Sequence, residues 1–401
     1  MESKDYDLVL CGAGATGLAS AWQIVCSYPS LKVLIIEKEP EVAFHQTGNN
    51  SGVIHSGIYY KPGGSKALNC KKGYQYLLDF CQEYDVPHDV CGKVIVAVND
   101  AEIEGLNRIY ERGQLNGLKG LQLLDGPATQ EIEPHVECLQ SIYVPQSGIV
   151  DYKAMAVKMK ELLEERGVRF AFGEEVKSIE QNNRIKIHTG KSIYVSKYMI
   201  NCAGLYADKL AQLAGFETPF RIIPFRGEYY EFKPAYEYLV KHLIYPVPDP
   251  NFPFLGVHFT RMQRGGIEAG PNAVLALKKE GYHAFDFDAK EFLEIMGYPG
   301  TIKLGLKHWR KGIDEYYRSF SKQAFVQTLK RMIPKVEAHM FKRGGSGVRA
   351  QAIDKEGNLL DDFLIVSNES IINLCNAPSP AATSCLAIGE MIRDVFSKMI
   401  E

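Results

Sequence analysis

The chain has 401 residues, 46% hydrophobic and 23% charged, the make-up of a globular protein large enough for two interleaved domains. A formal net charge of −2 and the absence of a long basic block argue against nucleic-acid binding. The nine cysteines are odd in number and form no C-x-x-C pair; Cys11, Cys202 and Cys375 sit in apolar runs, as buried thiols do in a reducing compartment.

The first elements in the chain carry the strongest signal. Leu8–Cys11 reads as a buried strand and Gly12–Gly17 as a G-x-G-x-x-G turn, followed by helical composition over Leu18–Val25. Gly12 permits the tight turn, Gly14 lets backbone approach a pyrophosphate, and Gly17 lets the helix sit close on the strand. The helix N-terminus supplies N–H donors and a favourable dipole for an anion. A second apolar strand, Leu31–Lys38, ends at Glu37, about twenty residues on, where a ribose hydroxyl needs an acceptor. The N-terminal apolar run is too short for a signal peptide, and no run approaches a membrane span. A cytoplasmic protein is expected, with peripheral contact at the inner face of a membrane as a variant.

His45–Tyr60 is rich in small and hydrogen-bonding residues and is followed by Lys61, Pro62, Gly63 and Gly64. A loop of this length in a compact domain is usually functional. Gly48, Ser51 and Gly52 would let backbone lie against a flat ring, with Asn49, Asn50 and Ser51 as donors. The pattern then predicts a helix over Lys66–Tyr84, a strand over Lys93–Val98, a helix over Ala101–Gly117 and a short helix within Leu123–Glu133. Strand–turn–strand follows over Ser141–Asp151, a helix over Tyr152–Arg166, and strands at Val168–Phe172, Glu174–Ile179, Arg184–His188 and Tyr194–Met199. Tyr198–Gly204 ends in a small-residue turn before a helix at Tyr206–Ala214. From Phe220 to about Gln327 a two-residue alternation predicts a mainly antiparallel sheet, with helices around Ala289–Met296 and Tyr316–Lys330. Tyr236–Leu255, aromatic and proline-containing, serves core and turns or touches a membrane or quinone. Lys342–Asp354 presents Arg349 after a glycine-rich turn. Strands at Phe363–Val366 and Ile371–Leu374 then lead through Asn376–Thr383 to a helix over Ser384–Lys398, a second N-terminus aimed at a ligand.

Taken together these segments resemble the D-amino-acid-oxidase-type flavoproteins and, among them, the L-2-hydroxyglutarate oxidase/dehydrogenase family. The resemblance rests on H-Q-T-G-N-N-S-G-V-I-H-S-G-I-Y-Y at 45–60, N-C-A-G-L-Y-A-D at 201–208, P-F-R-G-E-Y-Y at 224–230, H-F-T-R at 258–261, G-P-N-A-V at 270–274, G-V-R-A-Q at 347–351 and N-A-P-S-P-A-A-T at 376–383. Asn49 stands where an arginine is expected. The implied architecture is α/β and α+β: a Rossmann-like FAD-binding domain from residues 1–84, 147–219 and 336–401, interleaved with a mainly antiparallel-sheet substrate domain from 85–146 and 220–335.

The implied reaction is oxidation of L-2-hydroxyglutarate to 2-oxoglutarate with FAD as hydride acceptor and oxygen or a quinone as the final acceptor. FAD binding then falls to Gly12, Gly14, Ala15, Thr16, Gly17, Glu37, Lys38, Thr47, Asn50, Ser51, Gly52, Val176, Ala203, Gly204, Pro378, Ala381, Ala382 and Thr383. The base is His55, with His258 second, since an imidazole titrates near working pH. Arg349 anchors the α-carboxylate. Arg261 and Lys61 are candidates for the distal carboxylate, Tyr60 for a hydrogen bond, and Arg226 for a third cation or a structural ion pair. No metal is expected. Two alternatives stay open: another flavin oxidoreductase acting on an amino acid, a different 2-hydroxy acid or glycerol phosphate, and a non-catalytic flavin- or nucleotide-binding redox sensor.

Overall fold

The computed structural model describes residues 3–249 and 256–401. Strand Ser3–Cys11 lies at the centre of the first sheet because Leu8, Val9 and Leu10 are fully buried, leaving neither face to water. It pairs in parallel with Val33–Glu37 on one side and Ile193–Asn201 on the other. Arg169–Phe172 extends the parallel array beyond Val33–Glu37, and Ile371–Asn376 extends it beyond Ile193–Asn201. Three antiparallel strands, Val176–Gln181, Ile185–Thr189 and Leu364–Ser367, complete this sheet. Leu8 and Leu10 face a core shared with helices Ala15–Ser27, Tyr152–Glu165 and Cys385–Ile400. Val9 and Cys11 face the opposite core with Leu210 and Ala214.

The second sheet runs in the order Val274–Leu275, Phe220–Phe232, Ile267–Gly270, His258–Arg261, Leu243–Pro246, Lys93–Ala97, Gln140–Val144 and Gln122–Asp125. Phe341–Asp354 also pairs along Phe220–Phe232. Every pairing in it is antiparallel except Leu243–Pro246 with Lys93–Ala97. Phe232 stacks between Phe259 and Phe341 at its core, with centroids 5.8 and 4.3 Å away. The two sheets are joined by a buried ion pair between Asp208 and Lys279, whose ammonium also donates to the Leu205 carbonyl at 2.8 Å.

Two expectations are corrected. Lys342–Asp354 is no glycine turn but part of one fourteen-residue strand, Phe341–Asp354. Gly347 admits neighbouring chain: a Cβ there would stand 2.5 Å from the Asn49 carbonyl oxygen, where the 45–60 run crosses the strand. The expected helix at Tyr316–Lys330 is instead the end of a longer helix, Pro299–Phe320, followed by Lys322–Lys330. Ser321 separates them in an extended conformation and caps the second through the Ala324 N–H. Residues 250–255 of the aromatic, proline-containing stretch lie outside the described residues.

Candidate active site

A chamber of about 1120 Å³ runs from the glycine turn to the second sheet. That exceeds a drug-sized pocket and suits a dinucleotide with a small substrate. At one end, Gly12 has φ +106° and packs so closely on the Ile193–Asn201 strand end that a Cβ would meet the Cys202 carbonyl oxygen at 2.5 Å. Helix Ala15–Ser27 begins there with Gly14 as its N-cap, no side-chain cap and no acidic residue in its first turn. Gly14, Ala15 and Thr16 at its start line the chamber, so the helix N-terminus meets it as a pyrophosphate needs. Glu37 is fixed by accepting the Ala13 N–H at 2.7 Å and the Glu39 N–H at 3.0 Å, and it lines the wall. These groups fit the phosphate and ribose of FAD.

Gly12, Gly14, Ala15, Thr16, Glu37, Lys38, Thr47, Asn50, Ser51, Val176, Ala203, Gly204, Pro378, Ala381 and Ala382 all line the chamber. The Thr47 hydroxyl accepts the Ala15 N–H at 2.9 Å, tying the second segment to the first. Lys38 pairs with Glu280 and lies 4.6 Å from the Tyr206 ring centroid. The other three expected cofactor residues stand behind the wall. Gly17 packs beneath Gly12, where a Cβ would fall 2.0 Å from the Gly12 carbonyl oxygen. Gly52 turns the chain at φ +66°, and Thr383 accepts the His55 N–H at 3.1 Å while meeting the Tyr152 hydroxyl at 2.9 Å. The donor role expected of Asn49 and Asn50 is also corrected. Both side-chain amides donate to loop carbonyls, Asn49 to Phe44 and His45 and Asn50 to Gln46 and Thr47, which stiffens the loop.

The far end gathers His55, Tyr60, His258 and Arg349 with Tyr59, Tyr229 and Tyr245. Burial, then the charges of Lys93, His258 and Lys66, push His55 down to about 3, so it is a neutral imidazole. His258, also lowered to about 3 chiefly by burial, donates Nδ1–H to the Gly256 carbonyl at 2.8 Å and stacks on Tyr245 at 3.9 Å. A carbonyl can only accept, so Nε2 of His258 carries the lone pair. Arg349 occupies the long strand opposite Phe225 and presses on Tyr229 and Tyr245 electrostatically.

Three expected anchors do not line the chamber. Arg226 pairs with Val348, one step out of phase with the Phe225–Arg349 pair, so it points to the opposite face. There Glu228 holds it at 3.0 Å and it donates to the His283 carbonyl. Arg261 lies three residues beyond His258, on the other face, partly exposed and paired with Asp89 at 3.0 Å. Lys61 is exposed in the turn after Tyr60.

Sequence reasoning missed Lys93. Its side chain is 1% exposed, and Nζ lies 4.8 Å from the centroids of both Tyr59 and Tyr245, directly behind two wall residues. Among the described residues no carboxylate comes within ion-pair distance of it, and burial lowers its pKa to about 7. A lysine opening the buried run K-V-I-V-A was the available signal. Lys66, also missed, lines the wall and pairs with the exposed Asp361 at 2.7 Å. Glu39, His45 and Glu280 could group around a metal ion, but the Lys38 ammonium already pairs with Glu280 there.

Comparison with known proteins follows the same lines. The family model for FAD dependent oxidoreductases (DAO) matches residues 7–395. An L-2-hydroxyglutarate dehydrogenase of Indibacter alkaliphilus is 51% identical, covering 96% of this chain and 97% of its own. The mitochondrial L-2-hydroxyglutarate dehydrogenase of Homo sapiens is 42% identical, covering 100% and 90%. Among solved structures, the FAD-bound, dithionite-reduced L-α-glycerophosphate oxidase of Mycoplasma pneumoniae superposes with a TM-score of 0.81 at 24% identity, covering 99% and 95%, which shows the shared fold. A G-x-G-x-x-G turn on the central strand, a chamber sized for a dinucleotide and a match over nearly the whole length place the chain in the family of FAD-dependent oxidoreductases of the DAO type.

Proposed function

We propose that the protein oxidises L-2-hydroxyglutarate to 2-oxoglutarate, with electrons leaving to oxygen or a quinone. The observation that carries this reading is Arg349 in the chamber wall beside two neutral histidines, in a chain 41–51% identical to proteins named L-2-hydroxyglutarate dehydrogenase. Bound FAD supplies the two-electron acceptor for the hydride leaving C2. The protein's share is to bind two carboxylates, orient C2 and take the hydroxyl proton.

Arg349 grips the α-carboxylate through its planar guanidinium. Lys66 at the wall and Lys93 behind it supply positive potential for the second carboxylate; both charges are felt at His55. His55 takes the proton. Burial and those neighbouring charges keep it neutral, and among the described residues its ring makes no hydrogen bond to protein, whereas His258 spends Nδ1 on Gly256. The incoming dianion offsets the cations that depress His55 and raises its basicity as substrate binds. Tyr60 offers a hydrogen bond at the same end of the chamber.

Anaerobic addition of L-2-hydroxyglutarate should bleach the flavin absorbance, and the D-enantiomer should leave it unchanged. A flavin that the L-enantiomer fails to bleach would refute the substrate assignment. Admitting air or a quinone to the bleached enzyme identifies the acceptor by which one restores the colour.

A further inference from the structure

Burial sets the low basicity of both histidines; after it, His55 feels Lys93, His258 and Lys66, while His258 feels Arg349. The α-carboxylate anchor, the two imidazoles and the two lysines thus form one electrostatic cluster. The lysines are placed differently within it. Lys93 lies behind the rings of Tyr59 and Tyr245, whereas Lys66 lines the chamber itself. Lys66 is the second residue of helix Ser65–Glu83, its side chain 13% exposed and its Nζ 5.2 Å from the Tyr60 ring centroid. A dicarboxylate held at one end by Arg349 meets in Lys66 a second cation that it can touch.

That ammonium already has a partner. Asp361, in the segment between strands Phe341–Asp354 and Leu364–Ser367, meets Lys66 Nζ at 2.7 Å and lines the same wall. The two differ in burial, for the Asp361 side chain is 87% exposed. Its carboxylate is nonetheless delivered by a built support. Asn376, 3% exposed and itself in the wall, donates through Nδ2 to the Leu360 carbonyl at 2.9 Å and the Asp362 carbonyl at 2.8 Å, straddling Asp361. An ion pair with one hydrated partner contributes little and is readily given up. A carboxylate inside the chamber is screened by less water, so it attracts the same ammonium more strongly. An acid whose single carboxylate is spent on Arg349 has no group to offer in exchange.

We propose that Asp361 holds the place of the distal carboxylate on Lys66 and yields it when a dicarboxylate binds, which makes the pair a selector for a second carboxylate. Of the substrate reading above it requires only that the ligand be a dicarboxylate, and its test uses acids that carry no hydroxyl to oxidise. Glutarate and butyrate are titrated into oxidised holoenzyme, and dissociation constants are read from the flavin absorbance. Wild type should bind glutarate roughly tenfold tighter than butyrate, or more. Lys66→Met should bind glutarate about thirtyfold more weakly, as for the loss of one partner of a desolvated charge pair. Asp361→Asn should bind it about threefold to fivefold more tightly, the worth of an exposed ion pair, while butyrate affinity shifts less than about twofold in either variant. A Lys66→Met protein with wild-type affinity for glutarate overturns the proposal, as does a wild type that shows no preference for glutarate. So does an Asp361→Asn protein that binds glutarate no better, or that gains equally for butyrate, since a mere change of local field would favour both anions. Asp361 is exposed, so its variant decides even where Lys66→Met loses its flavin. Failure of L-2-hydroxyglutarate to bleach the flavin, with these shifts in glutarate affinity intact, would refute the substrate and leave the selector standing.

Discussion

An ammonium buried between two tyrosine rings, with no carboxylate to neutralise it, costs stability unless it serves a charge that arrives later. Lys93 is in that position, and its pKa of about 7 makes the cost depend on pH. In the unfolded chain the group titrates near its ordinary 10.5, so between pH 7 and 10.5 the unfolded state binds more protons and stability rises with pH. Lys93→Met should therefore raise the melting temperature at pH 7 and below, while raising KM for the dicarboxylate about tenfold. In wild type, KM should climb above pH 7 as the cation is lost; in the variant it should be flat over that range, and a retained slope would assign the titration elsewhere. Arg349→Ala should raise KM by a hundredfold or more, on the order of 3 kcal/mol for a desolvated charged pair, with flavin still bound. Arg349→Lys should recover only part, because an ammonium lacks the planar fork. His55→Asn should lower kcat by about 10² to 10⁴, the usual share of a general base, with little change in substrate binding. Motif position sufficed to place Arg349 and both histidines beside the chamber. It failed for Arg226 and Arg261 because strand alternation, which fixes the face, depends on a register that the sequence does not print.

At the scale of elements, the glycine turn is legible because its chemistry is local: strand, turn and helix are consecutive and each glycine is required by its own neighbours. Gly17→Ala makes that testable. A methyl group there would stand 2.0 Å from the Gly12 carbonyl oxygen, so the helix must move off the strand. Purified Gly17→Ala should be colourless or nearly so by absorbance, although Gly17 does not itself line the chamber. The strand Phe341–Asp354 was less legible. Glycines at 344, 345 and 347 read as a turn when their partners are unknown, and the crossing of Asn49 explains only the one at 347. Helix Pro299–Phe320 escaped for a related reason. A helix with a solvent-facing apolar stripe does not follow the inward pattern of a surface helix.

For the whole molecule, the parallel core and the chamber were readable from motifs spread along the chain, whereas the links between the sheets were not. Asp208 illustrates the gap: it lies in the N-C-A-G-L-Y-A-D run, yet its partners are Lys279 and the Ile222 N–H, contributed by the other sheet and its approach. Asp208→Asn leaves a buried lysine without its counter-charge and should destabilise the protein by roughly 3–5 kcal/mol, measured by denaturant unfolding of the holoenzyme. A loss below 1 kcal/mol would mean that the sheets are held mainly by apolar packing.

Of the described strands the central one, Ser3–Cys11, is made first, but one neighbour, Ile193–Asn201, comes nearly two hundred residues later, and the next strand outward, Ile371–Asn376, later still. Such non-local pairing slows folding, because long loops must close before the contacts reward them. During synthesis the ribosome therefore releases a glycine turn well before the residues at 376–383 that close the chamber's far wall exist. Flavin capture becomes a post-translational event, and a nascent chain stalled before residue 376 should emerge without the cofactor, however complete its nucleotide-binding motif.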